Sequence, residues 1–381
     1  MAAPLKHLIN ATTVTHAGQH LRRVWPAFDH LQFEQRASHG LETRAFKARA
    51  MQLADALQAT LPDNFNAACD VIENSLGPPL ALDAQGEPVA LVAGPRGEGL
   101  TGWVVWSLGE YVARRGMNHM PRALACLHAL TQRLTAEFAI RPFLQQHPEA
   151  SIAVLHHWVN DPSAHVRRLV SEGSRPRLPW GLRLQALVAD PAPTLPLLRA
   201  LQDDPSAYVR RSVANHLNDI AKDHPDLVAE WIREHRREAS AERTALLRHA
   251  SRGLIKQGHA PALEAWGLGR GLQGEASLSL STDHVTVGED VGLHVTLRST
   301  AQQPQPLVVD YAVHHVRANG NTSPKVFKGW QLTLAPQATR TLDKRHGLRP
   351  VTTRPLYPGR HRLDLRINGQ TCASADFELL P

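Results

Sequence analysis

At 381 residues the chain is too long for one ordinary core, so two or three domains are expected. Hydrophobic residues make up 43% and charged residues 20%, a globular balance that excludes wholesale disorder. No uncharged apolar run approaches the roughly 18 residues that cross a bilayer, and the start MAAPLKHLINATTV lacks the apolar centre of a secretory leader. Against 35 acidic residues stand 42 basic ones, a net charge of +7 that favours a polyanionic partner. Only seven of the basic residues are lysine; a GC-rich genome explains that ratio but not the surplus.

In chain order, residues 1–265 read as helical almost throughout. LETRAFKARAMQLADALQATL (41–61) places Phe46, Ala50, Leu53, Ala54, Leu57 and Leu61 on one stripe at helical spacing. WVVWSLGEYVARRG (103–116) and RALACLHALTQRLTAEFAI (122–140) have the same period, and the Gly- and Pro-rich stretch 77–100 between them reads as a long loop. DPSAHVRR (161–168) then recurs as DPSAYVRR (204–211), an offset of 43. A period near 40–47 marks HEAT-like helical pairs. Asp161 and Asp204 are placed to accept from the first free amides of a helix, and Pro162 and Pro205 fit its first position. Such pairs cannot bury their apolar faces alone, so they are expected to stack as a curved solenoid.

WGLGRGLQGE (266–275) breaks this pattern, and beyond it the period changes from 3.6 to 2, as in VGLHVTLRS, WQLTLA and HRLDLRI. Asn368-Gly369 supplies the two positive-φ positions of a tight hairpin, and Tyr357 resembles a tyrosine corner. The expected organisation is a helical repeat domain over 1–267, a Gly-rich linker at 268–274 and an immunoglobulin-like sandwich over 275–381.

Three polar sets fall in register on the repeats: Arg133 with Glu137, Arg168 with Glu172, and Arg211 with Asn215 and Asp219. Each set is expected on one helix face, displaced from the apolar stripe. Stacked helices lie roughly 8–10 Å apart, so Glu137, Glu172 and Asp219 could surround a small group, with Arg175 and Trp180 just beyond the second helix. A single Arg/Glu pair at this spacing is usually solvated decoration; three registered carboxylates are harder to read so. Trp103, Trp106, Trp158, Trp231 and Trp266 read as core. No lysine is read in this stripe, so Schiff-base chemistry is not expected.

Metal chemistry has little support in the spacing. His156-His157 are adjacent, no HExxH occurs, and Cys69, Cys126 and Cys372 are far apart and odd in number, which suits a reducing cytosol rather than a disulfide framework. Neither a GxxxxGK[ST] loop nor a GxSxG elbow is present. No metal and no cofactor are expected. Between 320 and 366 stand ten basic residues against two acidic ones, a local surplus of eight. DKRHGLRPVTTRPLYPGR (343–360) reads as mostly loop, and Lys344, Arg345, His346, Arg349 and Arg354 are its candidate phosphate contacts. A sheet edge guarded by charge is the competing reading.

With LGPPL (76–80), LGEYVARRG (108–116), TAEFAIRPFL (135–144), DPSAHVRRLVSEGSRPRLPW (161–180), VRRSVANHLNDIAKDHPD (209–226), KVFKGWQLTLAP (325–336) and KRHGLRPVTTRPLYPGRHRLDLRINGQ (344–370), the chain resembles the AlkC-type DNA alkylation-repair glycosylases that carry a C-terminal immunoglobulin-like domain. The resemblance spans nearly the whole chain. It implies excision of cationic N-alkylated bases, 3-methyladenine and 3-methylcytosine, with the acidic active-site positions on Glu137, Glu172 and Asp219. It places the aromatic on Trp180 and DNA-contacting arginines on Arg168 and Arg175, and Arg133 and Arg211 complete the expected DNA-facing set. The implied partner is double-stranded DNA with alkylated bases, met by a cytoplasmic monomer without membrane or metal and with the base left largely in the duplex. The alternatives are a non-catalytic repeat scaffold and a peptide-binding adaptor whose sandwich pairs with a partner strand.

Overall fold

The structure, a computed structural model, describes residues 5–89, 99–350 and 355–381. Its helices are α1 (Ala11–Val24), α2 (His30–Ser38), α3 (Phe46–Thr60), α4 (Phe65–Ser75), α5 (Val104–Arg115), α6 (Met120–Thr131), α7 (Arg141–Gln146) and α8 (Pro148–Trp158). They continue as α9 (Ala164–Gly173), α10 (Gln185–Ala189), α11 (Leu195–Leu201), α12 (Ala207–Ile220), α13 (Pro225–Arg236), α14 (Ala241–Gln257) and α15 (Ala260–Ala265). Eight strands follow: β1 (Gly274–Leu280), β2 (His284–Thr286), β3 (Asp290–Ser299), β4 (Gln305–Val316), β5 (Thr322–Leu334), β6 (Thr339–Gly347), β7 (Gly359–Ile367) and β8 (Gln370–Leu380). Among the described residues no helix is long and apolar enough to cross a membrane.

Two compact units divide the chain. The first comprises 1–223 with 241–249, and the second 224–240 with 250–381. Helix gives way to strand at Gly274, as the glycines foretold, but the packing boundary lies earlier in the chain. The reason is visible at α14: the Arg366 guanidinium of β7 bonds the carbonyls of Lys256 at 3.1 Å and Gly369 at 2.7 Å, so the sandwich caps the end of this helix. Gly258, at φ +79°, makes the same junction possible, because a Cβ there would lie 2.9 Å from the Gly369 carbonyl oxygen.

In the first unit, α9 packs against α6 and α12. The repeated DPSA motif explains how. Ser163 N–H donates to Asp161 at 2.8 Å and Ser206 N–H to Asp204 at 2.8 Å, so each aspartate closes the turn before its helix. Helices α9 and α12 begin at Ala164 and Ala207, with Ser163 and Ser206 as N-caps, so Pro162 and Pro205 precede the cap instead of opening the helix. The motif also stitches one repeat to the next. Arg167 bonds both carboxylate oxygens of Asp204, at 2.6 and 3.0 Å, and His128 of α6 meets Asp161 at 2.7 Å. Val166, Leu169, Val170, Val209, Val213 and Leu217 are each fully buried beneath these links.

The helix expected over 122–140 stops at Thr131. Arg133 turns its side chain back onto the Ala129 carbonyl at 3.0 Å, while the Thr131 hydroxyl accepts from Ala136 N–H at 3.3 Å. These bonds satisfy the helix end and start a turn. Of the tryptophans read as core, Trp106, Trp231 and Trp266 are buried, whereas Trp103 and Trp158 are half-buried.

In the second unit the strands form a three-stranded sheet, β1-β3-β6, and a five-stranded one, β2-β8-β7-β4-β5. Alternate residues of the two sheets fill the core: Val291, Leu293, Val295 and Leu297 from β3, and Leu363, Leu365 and Ile367 from β7. Asn368 and Gly369 take φ of +47° and +80° and join β7 to β8, the hairpin read from the sequence. The first part of 343–360, expected as loop, is strand: β6 runs to Gly347 and pairs with β3. Strand alternation there turns His346 inward, 5% exposed, with Tyr311 Oη 3.1 Å from its Nδ1. His346 is therefore a core residue of the sandwich and not a phosphate contact.

Candidate active site

Glu172 sits on the last turn of α9, Asp219 on the last turn of α12, and Glu137 in the turn between α6 and α7. Glu137 is thus not on a helix face with Arg133, and the two do not pair. Arg133 instead bonds backbone carbonyls, including Gly77 at 2.7 Å. The three carboxylates do converge, but through arginines. Arg168 donates to Glu137 at 2.9 Å and lies 3.6 Å from Glu172. Arg175 donates from Nη1 to Glu172 at 2.5 Å and from Nε to Asp219 at 2.8 Å. One guanidinium therefore ties the ends of α9 and α12 together, the two helices that follow the repeated DPSA motif. The three carboxylates, expected to surround a small group, instead surround guanidinium groups of the chain itself: the cluster is ion-paired and nearly closed, with Asp219 1% and Glu172 4% exposed. Arg168 and Arg175 likewise point into the cluster, not outward at a backbone.

Residues outside the registered pattern complete the centre. The Ser212 hydroxyl donates to Glu172 at 2.6 Å, and Lys222 donates to Asp219 at 2.8 Å, so a lysine does stand at the edge of the stripe. The Tyr208 ring supports the Arg168 guanidinium at 4.7 Å. Burial alone would raise the Glu172 carboxyl, but the positive charges of Arg168 and Arg175, with the Ser212 bond, more than offset it and hold it below the ordinary carboxylate range. Beneath the cluster, His216 donates from Nδ1 to the Ser171 carbonyl at 2.9 Å, which fixes the tautomer. Its burial pushes it down to about 4, so it stays neutral at physiological pH.

Beyond α9, Arg175 reaches Asp219 on α12, and Arg177 bonds both oxygens of Asp223, just past the end of that helix, at 2.6 Å. The segment then turns out to present Trp180, which is 59% exposed at a φ of +63°. A bulky side chain at positive φ stores strain that only a fixed surrounding sustains. Arg211 is paired with both oxygens of Glu87 and flanks Tyr208 at 5.9 Å, apart from the carboxylate cluster.

On the sandwich, Arg345 is exposed and Lys344 is half-buried, its ammonium 5.6 Å from the Trp330 ring. Arg349 remains 68% exposed although it meets Asp290 at 3.2 Å. Arg354 lies outside the described residues. Several members of the basic tract are paired: Arg360 with Asp376 at 2.6 Å and Arg362 with Asp364 at 2.9 Å. Among the described residues no group of three His, Cys, Asp or Glu side chains could hold a metal ion.

Known proteins resemble the chain in sequence and fold. A family model described as a DNA alkylation repair enzyme matches residues 133–254, the span that contains the cluster. A second, the C-terminal Ig-like domain of the uncharacterised protein YhaZ, matches 275–381. YhaZ of Bacillus subtilis is 32% identical over 99% of both chains. The Pseudomonas fluorescens alkylpurine DNA glycosylase AlkC, solved bound to DNA containing an abasic site analog, is 36% identical over 100% of both chains, with a TM-score of 0.89. The chain belongs to the AlkC-type family of DNA alkylation-repair glycosylases. Family membership accounts for a repair-enzyme module and an Ig-like module in one polypeptide.

Proposed function

We propose that this protein hydrolyses the N-glycosidic bond of cationic N-alkylated bases, 3-methyladenine and 3-methylcytosine, in duplex DNA. The observation that carries the reading is the convergence, through two arginines, of Glu172 and Asp219 at the ends of α9 and α12 with Glu137 in the turn before α7. A methylated base already bears positive charge and leaves without an acid. The neutral His216 beneath the cluster fits that economy, since no protonated imidazole is needed. What needs stabilising is the positive sugar left behind. An ionised carboxylate held in a low-dielectric surrounding does that, and can orient the attacking water. Glu172 and Asp219 carry this role, with Glu137 in support.

The carboxylates are covered by Arg168 and Arg175 here, so substrate engagement exchanges partners: a DNA phosphate takes a guanidinium, and a carboxylate is freed towards the sugar. Trp180, exposed beside them, packs against the damaged nucleotide and meets its charge with a ring face. Arg211 and the exposed Arg345 and Arg349 position the backbone; half-buried Lys344, on the other face of edge strand β6 beside Trp330, contributes from the sheet edge. Lys222 is occupied by Asp219, which supports hydrolysis without strand cleavage. The test is incubation with N-methylated duplex DNA, chromatography of released bases, and borohydride trapping. Free 3-methyladenine without a trapped adduct is expected. Tight binding with no released base would establish the scaffold reading instead, and a trapped adduct at Lys222 would replace hydrolysis by lyase chemistry.

A further inference from the structure

Arg141 opens α7 and is fully buried, yet among the described residues no carboxylate pairs with it directly; Glu137, Glu172 and Asp219 act on it only at longer range. Its Nε donates to the Leu182 carbonyl at 2.5 Å and its Nη1 to the Gly173 carbonyl at 2.7 Å. Gly173 is the last residue of α9, so the second bond satisfies a free carbonyl at the negative end of that helix. The two carbonyls bracket residues 174–181, the segment that carries Arg175 into the carboxylate cluster and Trp180 out to the surface. One side chain thus fastens both feet of this segment. The remaining nitrogen, Nη2, is buried and has no hydrogen-bond partner among the described residues.

Stability alone accounts poorly for this arrangement. Burying an unpaired guanidinium is costly, and an apolar side chain of similar volume would fill the space without that cost. Burial and the neighbouring charge of Arg175 push Arg141 down to about 10, still charged at neutral pH. A planar fork with two donors aimed at two carbonyls is what a fixed spacing requires, and lysine could not supply it. The segment also needs external restraint, because Trp180 sits at positive φ. Among the described residues its other backbone anchors are few: Arg175 N–H to the Glu172 carbonyl at 3.4 Å, Leu184 N–H to the Pro176 carbonyl at 3.2 Å, Gly181 N–H to the Leu178 carbonyl at 3.2 Å, and the Lys47 ammonium to the Trp180 carbonyl at 3.1 Å. Gly181 leaves room for the clamp, since a Cβ there would lie 3.0 Å from Leu178 Cδ2 and 3.3 Å from Arg141 Cδ and Nε, both inside the bracketed segment or its clamp.

We propose that Arg141 is a positioning residue that clamps residues 174–181 and so sets Trp180 and Arg175 against the substrate. The inference rests on the reading of the cluster as the catalytic centre, and its first test does not depend on activity. The protein is labelled with 5-fluorotryptophan, and the fluorine resonance of Trp180, one of eight tryptophans, is assigned with W180F. Arg141→Met is expected to shift and broaden that resonance while the other seven stay in place. In single turnover on 3-methyladenine duplex, release is expected to slow by about 100-fold, the scale of a 1 Å misplacement. Affinity for duplex with a tetrahydrofuran abasic analogue should change by less than about 3-fold, since no phosphate contact is removed.

Gly181→Ala pushes on the clamp without removing the arginine and keeps the test alive should Arg141→Met not fold. It is expected to move the same resonance and slow release several-fold. An unmoved Trp180 resonance with wild-type release in a folded variant overturns the proposal. Absence of base release in the wild-type protein would refute the catalytic reading while leaving the resonance to judge the clamp.

Discussion

Arg168 and Arg175 of the helical unit keep 16% and 10% of their side-chain surface, and both bond carboxylates on other elements. Arg349 and Arg360 of the sandwich keep 68% and 76%, and the partners they meet are themselves partly exposed. The residue type is the same and the chemistry differs, because the dielectric differs. In the helical unit a buried guanidinium fixes geometry, and its loss leaves carboxylates uncompensated. On the sandwich an exposed guanidinium acts at long range, is screened by salt and contributes little to folding. A count of charge along the chain treats the two alike; burial separates them.

The contrast is broken most forcefully at Arg175. Arg175→Met removes the guanidinium that Glu172 and Asp219 share, leaving Glu172 to Ser212 and Arg168 and Asp219 to Lys222, and a loss of about 3–5 kcal/mol in unfolding free energy is expected from buried pairs losing one partner. Urea unfolding followed by circular dichroism checks it; a change below about 1 kcal/mol would place Arg175 with the surface pairs. The next largest effect is in pH. His216 is held near 4 in the fold but titrates near 6.5 when unfolded, so the unfolded chain binds the proton more readily. Its contribution is full above about pH 6.5 and is lost as pH falls towards 4, about 3 kcal/mol in all. His216→Asn, which keeps a donor near the Ser171 carbonyl, should flatten part of the acid slope of stability.

The smallest effect on stability is expected on the sandwich. Replacing Lys344, Arg345 and Arg349 together by Gln should change unfolding free energy by less than about 1 kcal/mol. The same variant should lower the salt dependence of duplex affinity by a slope of about 2–3, one unit for each phosphate contact. A binding titration at several salt concentrations reads this, and an unchanged slope would remove the sandwich from the DNA interface.

How much of this was legible follows from the range of the interactions. The DPSA turns, the Asn368-Gly369 hairpin and the switch from period 3.6 to 2 are local, and all appear in the structure. The identity of the three carboxylates was legible as a register across repeats. Their partners were not. Spacing joined Arg168 to Glu172, whereas its nearer contact is Glu137, 31 residues away, because the helix expected to carry Glu137 ends at Thr131. Arg141, Ser212 and His216 gave no signal in the sequence, since each acts through a contact made only when α7, α9 and α12 come together. His346 shows a different failure. It stands in a basic run, but in β6 the side chains alternate, so its exposed neighbour Arg345 and the buried His346 share a charge pattern and not a face.

The central claim is that ionised carboxylates at the ends of α9 and α12 stabilise charge on the sugar. Single-turnover release of 3-methyladenine from duplex DNA by Asp219→Asn tests it most directly, because the change removes charge while keeping shape. Tight binding to abasic-analogue duplex with release slowed by at least about 100-fold is the predicted result. Release at the wild-type rate from a folded Asp219→Asn protein would contradict the account.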